Sequence, residues 1–124
     1  MSDTVFALAY AGLAALPTMM QLALVAGAPF GRFTLGGRFP GRLPGPWRGL
    51  ALVQAGMLVG MALVVLDYAG VIGNALPGWA IWPVLGLTLM TTLANLATPS
   101  RPERLLWGPV TVLMSFGLVA MLAT

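Results

Sequence analysis

The side chains able to do chemistry in this chain are few, and most stand apart from one another. Gln21, Gln54, Thr91 and Asn95 lie inside long apolar runs, where an amide or hydroxyl needs a hydrogen-bond partner because hydrocarbon offers none. Gln21 falls about six residues before the end of the first run and Gln54 about six residues into the second. In consecutive antiparallel helices these positions share a depth, and Thr88, Thr91, Thr92 and Asn95 occupy the matching half of the third run. The expectation is a hydrogen-bonded interhelical cluster of Gln21, Gln54, Thr91 or Thr92, and Asn95. Its alternative is a ligand or ion path lined by the same residues.

The composition offers no reaction to go with them. There is no histidine, cysteine or lysine, so no imidazole or amine base, thiolate nucleophile or usual haem, zinc or iron–sulfur ligand exists. Ser2, Ser100 and Ser115 are the serines, and none has a base to activate it. The acidic residues, Asp3, Asp67 and Glu103, fall to different faces of a membrane, too dispersed to hold a cation. No catalytic residue, cofactor or metal is expected. The net charge of +3 does not signal nucleic acid, because the arginines cluster in two short segments beside apolar runs.

The elements that must position these residues follow from hydropathy. At 59% hydrophobic and 7% charged, with a mean hydropathy of +0.93, the chain has too few charges to cover a water-facing surface. Four apolar runs, residues 5–27, 49–69, 79–97 and 103–123, are each about the 20 residues that a membrane-spanning helix needs. Helices satisfy their own backbone, as lipid requires. The reading is all-α: one integral membrane domain over 1–124, a four-helix bundle with a long arginine-, glycine- and proline-rich loop between the first two helices.

Arg32, Arg38, Arg42 and Arg48 lie in that loop, and Arg101 and Arg104 join runs three and four, whereas the opposite connections carry no arginine. The positive-inside rule puts both arginine segments in the cytoplasm and both termini outside, in a bacterial inner membrane. No cleaved signal peptide is expected, as Met1–Thr4 carries no positive charge. Asp67 is 19 residues beyond Arg48, about 30 Å along a helix, which makes it a boundary residue of the outer interface.

Several local features carry expectations. Pro17 should kink the first helix, with the Thr18 hydroxyl compensating the Leu13 carbonyl that it frees. Ala7, Ala11 and Ala15 form a small-residue stripe, and Gly56 and Gly60 a GxxxG pair for helix packing. In the loop, Gly36-Gly37 suits a two-residue hairpin turn, and Pro40, Pro44 and Pro46 oppose a long helix beyond it. Arg32, Arg38, Arg42, Arg48, Arg101 and Arg104 are candidate contacts for lipid headgroups, with Phe30, Phe33, Phe39 and Trp47 at the same level. Ser100 and Glu103 fit a capping box, in which Glu103 accepts from the Ser100 N–H. Glu103 is also a candidate partner for Arg101, Arg104 or an arginine of the first loop, and Trp107 a candidate interface anchor.

Two stretches, Gly27-Ala-Pro-Phe-Gly31 continuing into Leu35-Gly-Gly-Arg-Phe-Pro-Gly-Arg-Leu-Pro44, and Asn95-Leu-Ala-Thr-Pro-Ser-Arg-Pro-Glu-Arg-Leu-Leu-Trp107 with Pro109, together resemble an uncharacterised family of small four-helix bacterial membrane proteins. The resemblance implies that Asn95, Ser100, Glu103, Arg104 and Trp107 meet the Gly36–Arg42 loop in one cytoplasmic-face unit. It implies no activity. The functional expectation is a non-catalytic structural or accessory subunit, partnered by membrane lipids and by another protein or itself. The alternatives are a small channel or transporter using the polar cluster, and an anionic-lipid-binding protein.

Overall fold

The computed structural model describes residues 2–124, which contain no strand. Four helices follow in order: α1 (Ser2–Val25), α2 (Gly45–Tyr68), α3 (Ile81–Ala97) and α4 (Arg101–Ala123). All four are long and apolar enough to cross a membrane, α3 together with the 3-10 turn Gly78–Ala80 leading into it. These are the four runs read from composition, with shifted ends. The largest shift is at α2, which starts at Gly45 rather than residue 49. Pro44 caps it and Pro46 lies in its first turn, where a missing N–H leaves no bond unmade. The prolines start this helix and do not oppose it.

α1 packs along α2 and α4, and α4 along α3, whereas α2 and α3 touch little. The bundle is therefore closed on three sides and loose on the fourth. Its main core lies toward the end that holds the chain termini: Ala7, Tyr10 and Ala14 of α1, Met61 and Val65 of α2, Ile81 and Val84 of α3, and Met114, Leu118 and Met121 of α4. The alanine stripe is corrected accordingly. Ala7 and Ala14 are buried with Tyr10, while Ala11 is half-buried and Ala15 exposed. Residues four apart drift about 40° per step around a helix, so one contact line takes mixed spacings of three and four. Gly56 and Gly60 do not pack within the bundle either, since a methyl group at either would meet nothing within 4 Å. Ala51 and Ala55 are the small residues that α2 buries.

At the terminal end, Asp67 is buried, and its two carboxylate oxygens accept from the backbone N–H groups of Ala75 (3.0 Å) and Leu76 (3.1 Å). It staples the α2–α3 connection to the end of α2, a more specific role than a boundary charge. Charge-assisted bonds of this kind are worth about 1.5–3 kcal/mol. Asp67→Ala is expected to lower stability by about 2 kcal/mol, and Asp67→Asn, which keeps one acceptor, by less; thermal unfolding in detergent reads both.

At the opposite, arginine end, two guanidinium groups cap helices. Arg48 of α2 donates through Nε (3.0 Å) and Nη2 (2.8 Å) to the carbonyl of Val25, the last residue of α1. Arg104 of α4 donates through Nη1 to the Thr98 carbonyl (2.8 Å), just past α3. Each satisfies a carbonyl left over at a helix C-terminus and meets the negative end of the helix dipole. As headgroup contacts, Arg48 and Arg104 are thus corrected to intramolecular caps. Arg32, Arg38, Arg42 and Arg101 remain exposed, with Arg32 over the Phe33 ring at 4.8 Å and Arg38 over Phe39 and Trp47 at 5.2 and 5.6 Å.

The loop between α1 and α2 holds no hairpin. It curls through two 3-10 turns, Gly31–Phe33 and Leu35–Gly37, and Leu35, Gly36 and Gly37 all have positive φ. Three successive left-handed residues coil the chain, whereas a two-residue turn would return it as a strand. The return comes later, where the Gly31 N–H meets the Gly41 carbonyl (2.9 Å) and the Arg32 N–H the Pro40 carbonyl (3.2 Å). Leu43 packs with Leu24 and Ala51 in a second small core that fastens the loop to α1 and α2.

Candidate functional site

The curled loop docks against the α3–α4 junction through main-chain acceptors. Ser100 Oγ donates to the Arg32 carbonyl (2.6 Å) and Trp107 Nε1 to the Phe33 carbonyl (2.9 Å). Gly37 stands against the Ser100 side chain, where a Cβ would come within 3.0 Å. The loop segment 32–37 thus meets Ser100 and Trp107, slightly upstream of the Gly36–Arg42 stretch expected. Trp107 is buried; it is a pin for the loop and not an interface anchor.

Between this docked loop and the main core lies a cavity of about 330 Å³. It borders the loose α2–α3 seam, where Met57, Thr91 and Ala94 of its lining are exposed. Phe33, Thr34 and Leu35 form its floor, Pro17 and Gln21 its α1 side, and Trp107, Thr111 and Met114 its α4 side. Met114 is 13 residues into α4, so the cleft reaches about 20 Å from the arginine end. Its walls are largely apolar, with polar groups concentrated toward the floor.

Gln21, Gln54, Thr91 and Asn95 all line this cleft. They line one cleft, yet they do not form one hydrogen-bonded cluster. Among the described residues, the bonded network runs instead along the α3–α4 seam. Thr88 donates to the Val84 carbonyl and accepts from Tyr10 Oη, both at 2.7 Å. Thr92 lies within 2.9 Å of the Thr88 carbonyl, 3.0 Å of the Thr111 carbonyl and 2.7 Å of Ser115 Oγ. Asn95 joins through Nδ2 to Thr111 Oγ1 at 3.4 Å. Gln54 makes no side-chain hydrogen bond among the described residues, and Gln21 Oε1 is buried with no partner. In α1, the Thr18 hydroxyl donates to the Ala14 carbonyl (2.8 Å), not to that of Leu13.

The capping box is half made. Ser100 Oγ accepts from the Glu103 N–H (3.3 Å) and caps α4. The Ser100 N–H, however, is taken by Thr98 Oγ1 (3.2 Å), so the Glu103 carboxylate is not drawn back to it. Glu103 lines the cleft instead, and is only 8% exposed. No ion pair within 4.0 Å forms among the described residues; Arg104 is committed to Thr98 and Arg101 is exposed. Sequence reasoning assigned Glu103 to the cap and missed its place here. The signal was the spacing of Glu103, Trp107, Thr111 and Met114, which puts all four on one face of a helix.

What the arrangement can do is bind. A partly enclosed volume of this size, apolar on its walls with a few polar groups, has the general character of a small-molecule site. Asp3 and Asp67 lie at the terminal end and Glu103 at the arginine end, so no second carboxylate joins it. Comparison with protein-family models, curated proteins and solved structures returns no match in any of the three.

Proposed function

We propose that this is a non-catalytic, multi-pass protein of the bacterial cytoplasmic membrane that binds, and as a carrier releases, a small amphipathic molecule entering through the α2–α3 seam. The observation behind it is the cleft: about 330 Å³, apolar above and polar below, bordering the seam between two helices that face lipid. A molecule in the adjoining leaflet would slide its polar head toward Gln21, Gln54 and Asn95 and keep its tail among Met57, Leu58 and Met114. Photolabelling in vesicles with a diazirine-bearing amphiphile tests this. Label is expected on cleft residues and is blocked by Thr91→Trp, which fills the cleft beside the seam. Labelling spread over every lipid-facing surface and indifferent to Thr91→Trp overturns it.

The arginines at one end and their absence at the other support a cytoplasmic arginine end with both termini outside. The exposed Arg32, Arg38, Arg42 and Arg101 are then placed to meet anionic headgroups, each adding about 1 kcal/mol to membrane attachment. Reporter fusions at the amino end and at Arg38 are expected to fall in opposite compartments.

A structural or accessory role is the second reading, favoured by the unobstructed Gly56–Gly60 face, which lets another helix approach closely. If it holds, Gly56→Leu with Gly60→Leu abolishes self-association or copurification of a partner in mild detergent and leaves the fold intact.

A further inference from the structure

Glu103 is the one ionisable side chain among the cleft's lining residues. The residue is only 8% exposed, no hydrogen bond or ion pair reaches its carboxylate among the described residues, and its oxygens are not among the fully buried unpartnered ones, so the carboxylate stays accessible from the cleft that it lines. A carboxylate that opens into a largely apolar cleft is poorly solvated, and a cation or donor that enters and faces it is favoured. Among the described residues there is no internal candidate. The chain lacks lysine and histidine, Arg48 and Arg104 are spent on helix ends, and Arg32, Arg38, Arg42 and Arg101 are exposed. A second acceptor in the same cleft residues, Gln21 Oε1, is buried with nothing to bond. The cleft therefore holds an unpartnered carboxylate and a buried, unpartnered amide oxygen.

A bare metal ion fits poorly. Calcium takes six to eight oxygen ligands and magnesium a tight octahedron, whereas this cavity has one carboxylate, scattered amides and a methionine-rich wall. An organic cation fits better, because its N–H groups can meet Glu103 and Gln21. Trp107, which also lines the cleft, is an aromatic ring of the kind that attracts ammonium groups.

We infer that Glu103 is the charge anchor of the cleft, and that its ligand is an organic cation, an alkylammonium or other protonated amine carrying an apolar tail. This rests on the cleft being the binding site proposed above, and the test separates the two. A variant with Trp47, Trp79 and Trp82 changed to phenylalanine leaves Trp107 as the lone tryptophan, a reporter in the cleft wall. In nanodiscs of zwitterionic lipid, three brominated amphiphiles of equal chain length, an ammonium, an alcohol and a carboxylate, are compared as Trp107 quenchers at matched mole fraction in the bilayer. The ammonium is expected to quench at a concentration at least ten-fold lower than the other two. Glu103→Gln is expected to erase that preference while the alcohol quenches as before. Should Glu103→Gln fail to fold, Gln21→Leu provides the second variant, with several-fold weaker quenching by the ammonium and little change for the alcohol. Equal quenching by all three probes, or a preference that survives Glu103→Gln, overturns the inference and leaves the cleft standing as a binding site. Failure of every probe to quench Trp107 overturns both.

Discussion

Gly31→Ala is expected to unfasten the arginine-end loop, with a loss of about 3 kcal/mol or a failure to accumulate in the membrane. A Cβ at this position would lie 1.6 Å from the Phe39 carbonyl oxygen and 2.5 Å from that of Gly41. Both obstacles are backbone, and neither can swing aside as a side chain would. Relief requires breaking the 2.9 Å bond between the Gly31 N–H and the Gly41 carbonyl, and overpacking of this kind costs about 1–3 kcal/mol, at times more. Because Phe33–Leu35 floor the cleft, its ligand should be lost along with the stability. Gly45→Ala is the matched control, since a methyl there meets nothing within 4 Å. Thermal unfolding and quenching of Trp107 read the two effects separately.

Trp107→Ala carries the other large effect. The indole is buried between the loop and α4, forms part of the cleft wall, and donates to the Phe33 carbonyl. Truncating a buried tryptophan costs about 3–5 kcal/mol, partly through the void it leaves. Trp107→Phe keeps most of the volume and loses the donor, and is expected to cost about 1 kcal/mol. The difference in melting temperature between the two separates packing from the hydrogen bond. A small difference would mean that the indole holds the loop chiefly through its bond to the Phe33 carbonyl.

The helices were legible because lipid imposes a length and a composition that nothing else in the chain meets. That Gln21, Gln54, Thr91 and Asn95 come to line one cleft was legible in part, as rise along a helix follows from residue number alone. Their partners were not. Whether Gln54 reaches α3 depends on how closely α2 and α3 approach, a tertiary distance that no spacing encodes. The loop misled for a local reason. Gly36-Gly37 has the composition of a hairpin turn, but Leu35 also adopts a left-handed conformation, which a leucine does only when surrounding contacts enforce it. Glu103 misled because one sequence pattern served two ends: Ser100 kept the capping role and the carboxylate was left for the cleft. The exposed arginines and the inward-turned Arg48 and Arg104 look identical in sequence, and only the neighbouring carbonyls of Val25 and Thr98 tell them apart.

The uneven distribution of the core has a mechanical consequence. With the large interlocked side chains gathered near the termini and a void beside the arginine loop, the α2–α3 seam is the joint that can open while the Tyr10–Thr88 bond between α1 and α3 stays made. Because α2 is tied to α1 through Arg48 and α3 to α4 through Thr92, parting α2 from α3 breaks neither tie, so admission of a guest demands little of the fold as a whole. Backbone deuterium uptake should therefore rise along Thr91–Ala97 well before it does along Ile81–Thr88.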